Sequence, residues 1–285
     1  FMEHVRFGRT EATVSRLGFG GAPAGLSNYL DRYDPTVADE RQSVIDAILR
    51  AVELGITYFD TAAGYGDGAG ESIFGEALSQ VDREVFLGSK LAPSVTDAQD
   101  SVARSLERLR KGALDLIQIH GSSYSDDMTS SILGAGGLME QLEALREEGM
   151  VRFIGFTTED NNAGVYKFIE SGRFDTVQMT YNLLHQHPAE QTRPFGSMFE
   201  AEQQDMGICT MRTLTSGIFQ KWVKLANPTD DHDYTGDLLN FVLSNPLVDV
   251  ALVGMRTPEM VEANVRVCED ASQRIDLERL HEKYV

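Results

Sequence analysis

Ile56-Thr57-Tyr58-Phe59-Asp60-Thr61-Ala62 is a short run of β-branched and aromatic residues with a carboxylate at its fifth position. Two later runs have the same form. Val85-Phe86-Leu87-Gly88-Ser89-Lys90 ends on an ammonium, and Leu114-Asp115-Leu116-Ile117-Gln118-Ile119-His120 ends on an imidazole. Short β-rich runs of this kind read as strands. Five more lie at Arg16–Gly21, Phe153–Thr158, Thr176–Asn182, Gly207–Thr213 and Val248–Gly254, which makes eight.

Helical periodicity fills the intervals. Gln42–Leu54 puts Val44, Ile45, Ile48, Leu49 and Val52 on one face. Ala98–Leu109 does so with Val102, Leu106 and Leu109, and Leu138–Glu148 with Leu138, Leu142 and Leu145 before Gly149, a usual C-cap. Strands alternating with helices pair in parallel through right-handed crossovers, and eight such units close into a barrel. The expected class is therefore α/β: a (β/α)8 TIM barrel, one domain over residues 1–285. A doubly wound open sheet would want GxGxxG after its first strand. Gly18-Phe19-Gly20-Gly21-Ala22-Pro23 does not supply it. Ahead of the first run, His4–Thr10 and Ala12–Ser15 read as a hairpin turning near Gly8, placed to close the barrel bottom. Phe1 before Met2 reads as an appended residue.

Composition narrows the partners. The chain has 285 residues, 42% of them hydrophobic, enough for one large core. The net charge of −19 repels phosphate backbones and anionic lipid, so neither nucleic acid nor membrane is expected. Solubility accounts for such a charge; a salt-adapted source is a sharper account, since the basic residues are mostly Arg. Cys209 and Cys268 form no CxxC pair, so no zinc site or disulfide framework is expected, and a reducing cytoplasm fits. The first residues lack the basic and apolar segments of a signal peptide.

The chemistry sits at the strand ends. Asp60, Lys90 and His120 close three successive runs, and Tyr65 follows Asp60 in a Gly-rich loop. Barrel enzymes keep their active sites at that end. A free phenol has a pKa near 10, and an adjacent ammonium lowers it. A carboxylate would hold that ammonium in place, and an imidazole can orient a substrate oxygen. These four groups suit hydride transfer with a phenol as acid.

Asp60-Thr61-Ala62-Ala63-Gly64-Tyr65-Gly66 resembles the DTAxxYG signature of the aldo-keto reductases, and Lys90 and His120 fall where that family keeps its other two catalytic residues. The resemblance implies that Tyr65 is general acid/base, that Lys90 lowers its pKa, that Asp60 orients Lys90 and that His120 positions the substrate. It also implies a nicotinamide cofactor. Gly155-Phe156-Thr157-Thr158 stands where the family has Gly-x-Ser-Asn, with Gln178 on the next strand as a second carboxamide partner. Met211-Arg212-Thr213-Leu214 replaces Tyr-Ser-Pro-Leu, so Met211 substitutes a softer contact for the stacking aromatic. Leu214–Gly217, with Ser216, resembles the pyrophosphate loop. Gly254-Met255-Arg256 opens a helix whose N-terminus favours phosphate, and Asn264 matches an adenine contact. Arg256 suits a 2′-phosphate, which favours NADP(H) with NAD(H) as the alternative. Gly21 and Ala22 complete the implied cofactor set.

Two rival readings stay open: a Schiff-base aldolase using Lys90, and a non-catalytic cofactor-binding subunit of a larger assembly. The sequence names no substrate and no oligomeric state. Two long connections, Gly121–Gly137 and Trp222–Tyr234, are expected to build the substrate mouth. Ser122, Ser123, Tyr124, Asp126 and Asp127 in the first would make it polar and suit a sugar or polyol-like carbonyl. The family's C-terminal loop over the site is expected to be short or missing after the helical run Asp276–Lys283.

Overall fold

The computed structural model describes residues 1–190, 195–277 and 279. Its first elements are the expected hairpin, β1 (His4–Arg6) paired antiparallel with β2 (Thr13–Ser15) around a 3-10 turn at Gly8–Thr10. Eight parallel strands then close a barrel: β3 (Leu17–Gly20), β4 (Tyr58–Asp60), β5 (Phe86–Leu91), β6 (Leu114–Ile119), β7 (Val151–Thr158), β8 (Thr176–Thr180), β9 (Gly207–Met211) and β10 (Val250–Gly254), with β10 back against β3. Each of the eight expected runs overlaps one of these strands, with β5 running on to Leu91 and β7 starting earlier, at Val151.

Side chains alternate across a strand, and that period of two divides the core. Phe59, Leu87, Ile117, Phe156, Val177, Ile208 and Ala251 belong to the large cluster under the helices. Tyr58, Phe86, Leu116, Cys209, Val250 and Leu252 form a second cluster inside the barrel, with Phe7 and Val14 of the hairpin. Phe7 is fully buried and meets Tyr58 and Phe86 edge-on, with ring centres 5.4 and 5.6 Å away. Gly8 makes this approach possible. Its φ is +50°, and a Cβ there would lie 2.2 Å from the Gly207 nitrogen. The hairpin thus plugs the bottom, and the strands' C-terminal ends stay free to build a site.

The helices are α1 (Ala22–Gly25), α2 (Ala38–Glu53), α3 (Ala69–Leu78), α4 (Ala98–Leu109), α5 (Asp126–Leu133), α6 (Leu138–Glu147), α7 (Ala163–Glu170), α8 (Ser197–Gln203), α9 (Ile218–Ala226), α10 (Thr235–Leu243) and α11 (Pro258–Glu269). The Gly121–Gly137 connection is corrected by α5. Ser125 caps that helix by accepting from the Met128 N–H, and Asp126 and Asp127 occupy its first turn, where carboxylates meet the positive end of the dipole. The Ser/Asp-rich composition is a helix start. Trp222–Ala226 likewise belongs to α9. The helical run expected at Asp276–Lys283 lies largely outside the described residues.

Candidate active site

Asp60, Lys90 and Gln118 face one another because each sits two residues beyond an inward apolar residue or a glycine: Tyr58, Gly88 and Leu116. Gly88 lies against the carboxylate, where even a Cβ would be in ordinary contact with Asp60 Oδ2, at 3.5 Å. Lys90 is among the largest fully buried side chains of the protein. Its Nζ donates to Asp60 Oδ1, to the Thr61 carbonyl at 2.7 Å and to the Tyr65 hydroxyl at 3.5 Å. Gln118 Nε2 donates to the other Asp60 oxygen at 2.7 Å. Burial pulls the Lys90 pKa down, but Asp60 and Tyr65 outweigh it and hold the ammonium above its ordinary value. Burial pushes the Asp60 carboxyl up, against Lys90, Gln118 and Gln178.

Tyr65 is half-buried and connects this interior network to a cavity of about 440 Å³. Burial raises its pKa; Lys90 lowers it, as the sequence leads one to expect, but by less. The net result corrects the expectation of a lowered phenol: the resting group is a protonated hydroxyl. His120 meets the Tyr65 ring edge-on, with centres 5.5 Å apart. Burial, then the Lys90 charge, lowers its pKa to about 4, so its imidazole is neutral.

Of the other expected residues, Gly21, Ala22, Asp60, Thr157, Gln178, Met211, Arg212, Thr213, Leu214, Ser216, Gly217 and Gly254 line the same cavity. Thr158 and Met255 do not. Alternation on β7 turns Thr157 in and Thr158 out. The Thr158 hydroxyl lies within donating reach of the Asp160 carbonyl at 2.8 Å and the Ser122 carbonyl at 3.1 Å, and Met255 is packed in the core under the helices. Arg256 and Asn264 lie beyond the cavity, on the β10–α11 connection and on α11. Arg256 pairs with Asp31 and lies over the Tyr33 ring at 4.6 Å. The expected polar mouth is also corrected. Gly121 and Ser122 reach the cavity, whereas Tyr124 is buried, with its hydroxyl donating to the Thr157 carbonyl at 2.8 Å. In its place stand Leu26, Tyr29 and Leu30 from the loop after α1, with Glu159 and Gln220. Sequence reading missed these and Gln118. Gln118 carried a signal, because it shares the inward parity of Leu116.

A nicotinamide dinucleotide fits the residues present. Among the described residues, Gln178 Oε1 and Asn264 Oδ1 are buried acceptors without a hydrogen-bond partner, and amide or amine N–H groups would satisfy them. Thr215, Ser216 and Gly217 all have positive φ, a backbone curl of the kind that cradles anions.

The family model described as the aldo/keto reductase family matches residues 16–237. The chain belongs to that family. The chain is 30% identical to the NADH-specific methylglyoxal reductase of Escherichia coli over 210 residues, 64% of this chain and 60% of that one. It is 24% identical to the L-galactose dehydrogenase of Arabidopsis thaliana over 310 residues, 96% and 91% of the two chains. The chain spans about 60% of the length of the first curated relatives it matches. In structure it resembles an aldo/keto reductase from Klebsiella pneumoniae in complex with NADP and acetate, with TM-score 0.74 over 99% and 94% of the two chains at 23% identity. That last likeness establishes the barrel. Among the described residues no helix is long and apolar enough to cross a membrane.

Proposed function

We propose that this chain interconverts a small-molecule carbonyl and its alcohol with NADP(H), in the cytoplasm, using Tyr65 as general acid/base. One observation carries the reading: a buried ammonium, anchored by Asp60, reaches the Tyr65 hydroxyl, and Tyr65 opens on the cavity.

A nicotinamide held in this cavity would supply the hydride for the carbonyl carbon, or accept one from the alcohol. Tyr65 gives its proton to the carbonyl oxygen as negative charge develops there, and the phenolate left behind faces Lys90. Oxidation needs the reverse, with the phenolate as base. Neutral His120 donates a hydrogen bond to the same oxygen. Lys90 is the positioning charge, and Asp60 with Gln118 fixes it. Gln178 and Thr157 would hold the carboxamide, Ser216 and Gly217 the pyrophosphate, and Asn264 the adenine. Arg256 favours NADP(H): its carboxylate partner Asp31 is exposed, and a 2′-phosphate can take its place. A Schiff base at Lys90 would need a neutral, accessible amine, and this one is charged and buried.

The test is a panel of aldehydes and ketones followed at the nicotinamide absorbance, with NADPH and NADH in parallel. Turnover with NADPH preferred supports the reading. Tight coenzyme binding with no turnover of any carbonyl would favour a non-catalytic subunit.

A further inference from the structure

Arg212 is the first residue past β9, and its backbone is strained. Its φ of +56° lies in the left-handed region, which residues other than glycine seldom adopt. Such a conformation persists only where its surroundings over-determine it, and here they do. Buried Asn182 donates to the Arg212 carbonyl at 2.9 Å, and the Thr215 N–H donates to the same oxygen at 2.8 Å. Asn182 is itself fixed, because its Oδ1 accepts from the Leu184 and His185 N–H groups at 2.8 and 3.0 Å. This scaffold sets the Arg212 side chain in the wall of the cavity that Tyr65 and His120 share. Tyr29 and Tyr65 line the same cavity as Arg212.

The guanidinium is only partly engaged. Nη2 donates to Glu159 Oε1 at 2.7 Å, and among the described residues Nη1 and Nε have no hydrogen-bond partner. Both members of the pair are more than a third exposed. Exposed pairs of this kind contribute little, so the arginine exchanges or shares its partner readily. A guanidinium fork matches a planar carboxylate bidentately, and the contact it already makes is to a carboxylate. A neutral aldehyde or sugar makes no comparable use of it. Because Arg212 and Tyr65 line one cavity, a carboxylate bound by the first would belong to the same small molecule as the carbonyl that meets the second.

We propose that Arg212 is a specificity-determining residue that selects carbonyl substrates carrying a carboxylate, the oxo acids and acid aldehydes. The inference rests on the reductase reading of the cavity. It differs from what the family resemblance implies, which is a cofactor contact at this position.

The test compares kcat/KM for succinic semialdehyde with that for butanal, and for glyoxylate with that for acetaldehyde. NADPH binding is titrated separately by fluorescence. The wild type favours the acid of each pair by about 10- to 100-fold, the worth of a charge-assisted hydrogen bond. Arg212→Gln collapses that ratio toward one without a matching loss of NADPH affinity, and Glu159→Gln raises it by freeing the fork. A wild-type ratio near one overturns the inference while the reductase reading stands. So does an Arg212→Gln variant that loses both substrates equally and NADPH affinity with them, which assigns the residue to the coenzyme. Turnover of none of the four compounds or of any other carbonyl sinks the reductase reading and the inference with it.

Discussion

Lys90→Met removes the ammonium beside the phenol and nearly preserves its volume. At 3.5 Å and an effective dielectric of about 20, a full phenolate charge and an ammonium attract by about 5 kcal/mol. With half the charge on the tyrosine oxygen in the transition state, about half of that is lost. Each ~1.4 kcal/mol is tenfold in rate, so reduction should slow by about 50-fold. The variant also leaves Asp60 buried with Gln118 as its remaining strong donor. Breaking a buried pair costs about 3–5 kcal/mol of stability, so a thermal melt comes first. Lys90→Arg keeps a charge with different reach and is the companion if Lys90→Met does not fold. The assay is single-turnover decay of NADPH at saturating coenzyme, with NADPH affinity measured alongside. A folded Lys90→Met variant with a single-turnover rate near that of the wild type would refute the role given to Lys90.

Further outcomes follow from the same geometry. Burial holds Tyr65 above the ordinary phenol value and lowers His120 to about 4. Reduction should therefore stay flat from neutrality down to about pH 4, and oxidation should still be climbing at pH 10; an oxidation plateau below that counts against the assignment of Tyr65. Arg256→Ala should weaken NADPH binding by about 10- to 100-fold and NADH binding less, whereas Asp31→Asn, which breaks an exposed pair, should tighten NADPH up to about fivefold. Titrations showing equal effects on both coenzymes would remove Arg256 from the 2′-phosphate. Gly8→Ala should cost about 2 kcal/mol or more in denaturant melts, because the left-handed φ and the Gly207 backbone leave no room for a methyl group; a loss under about 0.5 kcal/mol would mean that the hairpin is not pinned there.

The fold was legible because each barrel strand is a short β-rich run and the helical intervals keep their own period. Asp60, Lys90 and His120 were legible because an ionisable residue closing an apolar strand is unusual, and Tyr65 because it follows in a Gly-rich loop. What sequence missed depends on three-dimensional competition. The sign of the Tyr65 shift is a contest between burial and one charge, and no spacing reveals which wins. Thr158 looked like a cofactor contact because it adjoins Thr157, yet a strand turns neighbours to opposite faces. The Ser122–Asp127 stretch looked like a polar mouth, whereas Ser125 and the two aspartates that follow are a helix cap. Tyr29 and Leu30 carried no periodic signal, since the loop after α1 brings them to the cavity.

Tyr65→Phe tests the central claim most directly. It deletes one hydroxyl and little volume, and it leaves the Asp60–Lys90 pair in place. The measurement is the single-turnover rate of carbonyl reduction at saturating NADPH, paired with a fluorescence titration of NADPH. The account predicts a rate lower by about 10²- to 10⁴-fold with coenzyme affinity unchanged. A Tyr65→Phe variant that binds NADPH normally and reduces its substrate at close to the wild-type rate would contradict it.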